Sequence, residues 1–432
     1  MSVKNNQFKS WPAYSEEEAD AVRDVLLSNK VNYWTGDECR QFEQEFAEWV
    51  GAQHAVAVAN GTLALEFALK ALDIGGNDRD IDEVIVTSRT FLASVSAIVN
   101  VGARPVFVDV DSDSQNITAE TIEPAITERT LAIICVHLAG WPCDMDPIMA
   151  LAKQHGLYVI EDCAQAHGAR YRGMSVGSIG DVGCWSFCQD KIMTTGGEGG
   201  MVTTNSRALW SKLWSYKDHG KSWEAVYERE HSPGFRWLHE SFGTNGRMTE
   251  MQAAIGRIQL KRMEIWNQAR TKNANAIMEG FECYPELFRV PRSPTHSEHA
   301  WYKCYIFVKP EGLAKLGLTR DQVIEQFNKA GVPCYQGSCS EVYLEKVFDE
   351  TTFRPKERLP VAKELGETSL MFLVHPTLTR EEMELTCTTI NLLGAGLIST
   401  FFGCLDSYNK CNVLSGAQPA TSAGPEKCAI TS

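Results

Sequence analysis

The residues best placed to do chemistry are a lysine, an aspartate and a few small hydroxyl and amide groups, each at the end of a short apolar run. The run 183–187 leads into Gln189-Asp190-Lys191 and then into the glycine-rich loop Thr194-Thr195-Gly196-Gly197-Glu198-Gly199-Gly200. A lysine between an apolar strand and a glycine turn is held near buried surface, where its amine can act as a nucleophile; placement on the surface is the plainer alternative. The run 158–160 ends in Glu161-Asp162-Cys163-Ala164-Gln165-Ala166-His167. That leaves a carboxylate at the strand's end, able to hold a charged ring nitrogen or, more simply, to cap a helix. The run 55–59 enters Asn60-Gly61-Thr62 and a helix, whose free N–H groups, hydroxyl and positive dipole end can hold a phosphate. Taken alone, Thr62 reads equally well as an N-cap. Ser186 stands five residues before Lys191. A phosphate cradle, an aspartate, a serine, a lysine and a glycine turn, in this order in one domain, are the parts that pyridoxal 5′-phosphate requires.

The elements that must position these groups are legible from periodicity. Apolar runs at 55–59, 83–87, 105–110, 132–136, 158–160, 183–187 and 201–203 alternate with segments of helical period at 62–72, 91–101, 144–155 and 249–269. This is the pattern of an α/β domain with a mostly parallel sheet covered on both faces. Asp144 and Gly156 bracket the third of these helices. After residue 270 the texture changes to a Pro-rich link, a strand at 302–308 and helices at 319–330 and 380–393, a smaller α+β domain. The helix at 16–27 has no core of its own and is expected to pack on that domain. The reading is thus an N-terminal segment (1–30), a large domain (31–270), a small domain (271–395) and a disordered tail (396–432).

The 432 residues carry 55 acidic and 41 basic side chains, a formal charge of −14. That argues against nucleic acid as a partner. No apolar run reaches the roughly 18 residues of a membrane span, and the polar N-terminus has no signal-peptide core, so a cytoplasmic protein is expected. The 14 cysteines contain no C-x-x-C pair and read mostly as buried thiols, with no structural metal.

The motifs resemble those of the DegT/DnrJ/StrS aminotransferases. The resemblance rests on Tyr33-Trp34-Thr35-Gly36 with Phe42-Glu43, Ala59-Asn60-Gly61-Thr62-Leu63-Ala64-Leu65, Thr90-Phe91, Pro105 through Asp111, Glu161-Asp162-Cys163-Ala164-Gln165, Ser186-Phe187 with Lys191, and Asn245-Gly246-Arg247-Met248. It covers about residues 11 to 395. It implies a fold type I pyridoxal-phosphate transferase with a seven-stranded large domain, working as a homodimer with shared active sites. Lys191 would carry the cofactor and shuttle the proton, and Asp162 would pair with the ring nitrogen. Gln165 would lie near the ring hydroxyl, and Phe91 would stack on the ring. Gly61, Thr62 and Ser186 would hold the phosphate, joined by Asn245 of the neighbouring subunit. The implied reaction moves an amino group, from glutamate by analogy, to a nucleotide-linked keto sugar for amino-sugar and cell-surface polysaccharide synthesis, lipopolysaccharide included. Cyclitol or aminoshikimate-type members are the nearer alternative, and a non-catalytic regulator the more distant one. Lys191 argues against the family branch that has histidine there and removes hydroxyl groups instead.

Several features depart from the family pattern. Arg89 precedes the stacking aromatic and is expected to face the substrate. Residues 77–81 lengthen a tight turn. The basic and aromatic stretch 221–242 suggests that Lys221 or Arg236 meets a substrate phosphate. Gly220-Lys221-Ser222 ends like a P-loop but lacks the first glycine and the leading strand.

Overall fold

The computed structural model describes residues 8–75 and 81–396. The lengthened turn at 77–80 and the tail from 397 lie outside the described residues. Seven strands form the main sheet: β1 (His54–Val58), β2 (Glu83–Thr87), β3 (Arg104–Val108), β4 (Thr130–Val136), β5 (Tyr158–Asp162), β6 (Val182–Ser186) and β7 (Gly200–Thr204). Their order is β1-β7-β6-β5-β4-β2-β3. Only β7 runs against its neighbours; the other pairings are parallel. All five residues of β2 and of β6 are buried, because helices cover both faces of the sheet. Strand ends differ from expectation by two residues at most, since apolar character marks the buried middle of a strand better than its last hydrogen bond.

The largest departure is the helix expected at 249–269. It runs from Glu250 to Glu282, 33 residues, from a capping box of Thr249 and Gln252. No proline interrupts it. Its first half gives Ala253, Leu260 and Met263 to the core of the large sheet. Its second half gives Ala274, Ile277 and Phe281 to a separate core built on the antiparallel strands Phe288–Arg289, Cys304–Val308, Ser369–Phe372 and Cys334–Tyr335. One rigid rod therefore joins the two cores, and a boundary drawn at 270 falls inside it.

The N-terminal segment also needs correction. Helix Glu16–Ser28 lies along the first half of the long helix, not on the small core. Buried Glu18 accepts from the amide of Gln259 (2.7 Å) and the guanidinium of Arg262 (3.0 Å). Only the residues before it reach the C-terminal part: Phe8 packs on the small core, the N–H of Lys9 donates to Glu382 (2.6 Å), and Trp11 stacks on His375. The charged stripe of the helix finds complementary polar partners on 259–262, which its hydrophobic period alone could not indicate.

Candidate active site

Strand ends and helix starts converge on one cavity of about 920 Å³ at the carboxyl edge of the sheet. Gly61, Thr62, Phe91, Asp162, Gln165, Ser186 and Lys191 all line it, although 130 positions separate the first from the last. The opposite wall comes from strands Cys304–Val308 and Cys334–Tyr335 of the smaller sheet and the residues leading into the first of them, through Tyr302, Lys303, Tyr305 and Tyr335.

Asp162 closes β5 at the bottom of the cavity and is 6% exposed. It does not cap a helix. One carboxylate oxygen accepts from the Ser94 hydroxyl (2.8 Å), the other from the Ala164 N–H (3.1 Å). Burial pushes its carboxyl above the ordinary range, opposed by those two hydrogen bonds and by Lys191. A buried carboxylate short of countercharge is a receptor for a cation.

At the other end, Asn60 rather than Thr62 is the N-cap: its side chain accepts from the Leu63 N–H at 2.9 Å. Helix Gly61–Ala71 thus begins with its first-turn N–H groups free of intrahelical partners and with the Thr62 hydroxyl released from capping. Glycine at 61 is required by the close approach of β6. A Cβ there would sit 2.6 Å from Cβ and 3.0 Å from Oγ of Ser186. The absence of a side chain lets the helix start, and with it the positive dipole end, meet the Ser186 hydroxyl.

Lys191 follows β6 on a turn closed by its own N–H to the Cys188 carbonyl (3.1 Å) and by the Trp11 indole N–H to its carbonyl (2.7 Å). The glycine loop beyond is pinned to the long helix through the Thr194 N–H and Gln259 (2.9 Å), and Gly197 adopts φ 121°, where a side chain would be strained. Nζ of Lys191 lies 5.1 Å from the centroid of the Tyr302 ring, whose hydroxyl donates to Asp190. Phe91 is 70% exposed and borders the cavity, a large aromatic surface left without a covering partner. Gln165 accepts the Ala139 N–H (2.8 Å) through Oε1, which fixes its amide orientation.

Four predicted residues stand apart. Arg89 does not line the cavity. It is fully buried, donates to Gln115 (2.9 Å) and Ser369 (3.3 Å), and lies over the Tyr305 ring, so it braces the wall from behind. Its neighbours Thr87, Ser88 and Thr90 gave no sign that a guanidinium would be enclosed there. Lys221 pairs with Asp218 (3.3 Å) and covers Trp34. Arg236 and Asn245 are exposed and lie outside the lining of this chain's own cavity. Conversely, Ser94, Trp11, Tyr302 and Lys303 were not anticipated. Ser94 is three residues past Phe91, but nothing in the spacing tied it to a carboxylate 68 positions away.

Glu161, next to Asp162, has a different task. It is fully buried and its oxygens accept the N–H groups of Gly177 (2.8 Å), Ile179 (2.8 Å) and Gly180 (2.7 Å) and the His137 Nε2–H (3.0 Å). His137 Nδ1 accepts the Cys143 N–H, which leaves Nε2 as the nitrogen carrying hydrogen. Burial alone would raise this carboxyl, but the hydrogen bonds and His137 bring it below the ordinary range. His137, Glu161 and Cys163 are near enough to hold a metal, yet the Glu161 oxygens are already saturated by donors. Glu161→Gln is expected to cost about 3 kcal/mol, because an amide cannot accept four hydrogen bonds in a sealed site. Urea unfolding at pH 7 measures it, and a loss below 1 kcal/mol would contradict this role. A lowered folded-state pKa stabilises above the ordinary carboxylate range, so the gap between the two proteins should narrow as the pH falls through the acid range.

A model of the DegT/DnrJ/EryC1/StrS aminotransferase family matches residues 12–391. The chain is 61% identical to an aminotransferase from Psychrobacter cryohalolentis whose X-ray structure superposes with a TM-score of 0.88, covering 90% of this chain and 99% of that one. It is 38% identical to UDP-N-acetyl-3-dehydro-alpha-D-glucosamine 3-aminotransferase of Acidithiobacillus ferrooxidans, over 85% of this chain and 94% of the relative. It is 39% identical to GDP-perosamine synthase of Caulobacter vibrioides, over 84% and 92%.

Proposed function

Because this chain belongs to the DegT/DnrJ/EryC1/StrS aminotransferase family, we propose that its cavity transfers an amino group from an amino acid, glutamate by analogy, to the carbonyl of a nucleotide-linked keto sugar. The cofactor is pyridoxal 5′-phosphate. The residues present fit it: a helix start cleared by Gly61, a buried carboxylate with no ion pair among the described residues, an exposed aromatic and a lysine share one cavity. That convergence carries the proposal. When bound, the cofactor supplies an aldehyde that captures amines and a ring that withdraws electrons.

The chain's own groups account for the rest. The first-turn N–H groups of Gly61 and Thr62, with the Ser186 hydroxyl, bind the phosphate. Asp162 would hold its negative charge toward the ring nitrogen, and Phe91 would offer its exposed face to the ring. Lys191 would anchor the cofactor's aldehyde and, as a free amine, would move a proton at the substrate carbon. The test is optical: absorbance near about 400 nm should bleach on adding glutamate and return on adding a keto acceptor. Protein that binds cofactor but does not bleach with any amino acid would overturn the reading. A panel of UDP-, GDP- and dTDP-linked keto sugars, with a cyclitol ketone, identifies the acceptor.

We further propose a homodimer in the cytosol, with residues 218–247 of each subunit serving the neighbour's cavity. Supporting this, Asn245 and Arg236 are exposed and lie outside the lining of their own chain's cavity, and Phe235, Trp237 and Phe242 expose aromatic surface on the same stretch (78, 81 and 99%). Mixing inactive Lys191→Ala with Asn245→Asp subunits should restore about one quarter of wild-type activity, the share of sites that random pairing leaves intact. Absence of recovery after verified subunit exchange would place Asn245 outside the partner's site.

A further inference from the structure

We infer that Lys303 is the cation that receives the carboxylate of the amino donor, an assignment that rests on the aminotransferase reading above. Lys303 follows Tyr302 into strand Cys304–Val308 and lines the same cavity as Lys191. The Nζ atoms of Lys191 and Lys303 lie 5.1 and 4.7 Å from the centroid of the Tyr302 ring, so the two amines are less than about 10 Å apart.

The charge around Lys303 is unbalanced. Its nearest acid, Asp190, accepts from the Tyr302 hydroxyl and also serves Lys191. Among the described residues Lys303 has no hydrogen-bond or ion-pair partner of its own. Behind it Arg270 is 1% exposed, with Nε and Nη2 unpartnered and only Nη1 donating to the Trp301 carbonyl (3.3 Å). Burial brings the Lys303 ammonium down to about 8; Asp190 opposes this, while Arg270 and Lys191 add to it. A desolvated ammonium that shares its one nearby carboxylate with Lys191 is costly unless a ligand supplies further negative charge.

The donor is the ligand that fits the position. In an α-amino acid the carboxylate is attached to the carbon that bears the amine, so its receptor must stand beside Lys191. In a nucleotide sugar the diphosphate is separated from the carbonyl carbon by part of the sugar ring, and its charge falls farther out. A carboxylate or phosphate of the acceptor is therefore the rival source, and the two are separable.

The experiment uses the cofactor-loaded full chain with Lys303→Gln and Lys303→Arg. Lys303→Gln should raise the KM for glutamate, and the Kd of 2-methylglutamate (which has no α-hydrogen to lose), by about 10- to 100-fold. The KM for the acceptor should stay unchanged, and Lys303→Arg should recover most of the loss. Wild-type enzyme should prefer glutamate over the amine lacking its α-carboxylate by a similar factor, and Lys303→Gln should lose that preference. Unchanged donor binding, or equal losses toward donor and acceptor, would overturn the assignment. Should Lys303→Gln not fold, Lys303→Arg together with the wild-type preference between the two amines decides: no preference overturns it. Wild-type protein that transaminates with no amino acid is a failure of the aminotransferase reading instead, so the two failures are distinct.

Discussion

Replacing Lys191 by alanine is expected to lower kcat by about 10⁴-fold or more, since in the proposed reaction one amine would serve as both cofactor anchor and proton carrier. The protein should remain folded. The turn that presents Lys191 is held by backbone groups, its N–H on Cys188 and its carbonyl on the Trp11 indole, which alanine retains. The Lys191 side chain makes no ion pair shorter than 4 Å among the described residues, so stability should change by less than about 1 kcal/mol. Single-turnover spectra, with added ethylamine as a soluble replacement, provide the check: partial recovery of rate by the free amine is expected. A variant that keeps near-normal kcat would remove Lys191 from the chemistry and leave Lys303 as the other amine lining the cavity.

Asp162→Asn should have effects of opposite sign on activity and on stability. With cofactor, kcat is expected to fall about 10²- to 10³-fold, the usual cost of removing a preorganised charge from the place where it acts. The amide keeps the size of the side chain; its oxygen can accept the Ala164 N–H while its NH2 donates to the Ser94 hydroxyl, so position is preserved and charge alone is lost. Without cofactor, the variant should melt at a higher temperature than the wild type at pH 7. The folded-state pKa of Asp162 is raised by burial, so ionisation of this group costs stability at pH above the ordinary carboxylate range. That cost disappears in acid, and the two melting curves should converge as the pH falls toward 4. Saturating cofactor should reverse the order at pH 7, because the wild type then gains a countercharge that asparagine cannot use. Thermal scans with and without cofactor at pH 4 and 7 decide the matter; a cofactor-free variant less stable than wild type would mean that the Asp162 hydrogen bonds outweigh its desolvation.

Much of the sheet was legible because its strands are buried on both faces and read as short β-branched runs between helical segments. The lysine, the aspartate, the glycine start and the serine were legible because each stands where a strand ends, and strand ends of a parallel sheet share one edge. The long helix was cut short in the reading because its apolar stripe gives way to polar residues between Met263 and Ala274, where the buried position on that face is Arg270. A fixed window sees that change as an ending. Glu161 illustrates a different blindness: adjacent to Asp162 and chemically identical in its head group, it faces three backbone N–H groups and a histidine instead of the cavity. Alternation along a strand says that neighbours face opposite ways, but not which side holds the ligand.

By itself the sequence determined which chemical groups the protein owns and their order along the chain, because side-chain identity and local period are properties of neighbouring residues. Only the tertiary structure decided which cations face the cavity. Arg89 sits two residues before Phe91 and is enclosed behind the wall, whereas Lys303, more than a hundred residues beyond Lys191, opens beside it. The physical reason is that charge acts through distance and desolvation, and both are set by how the small core closes over the sheet, which no local stretch of sequence records.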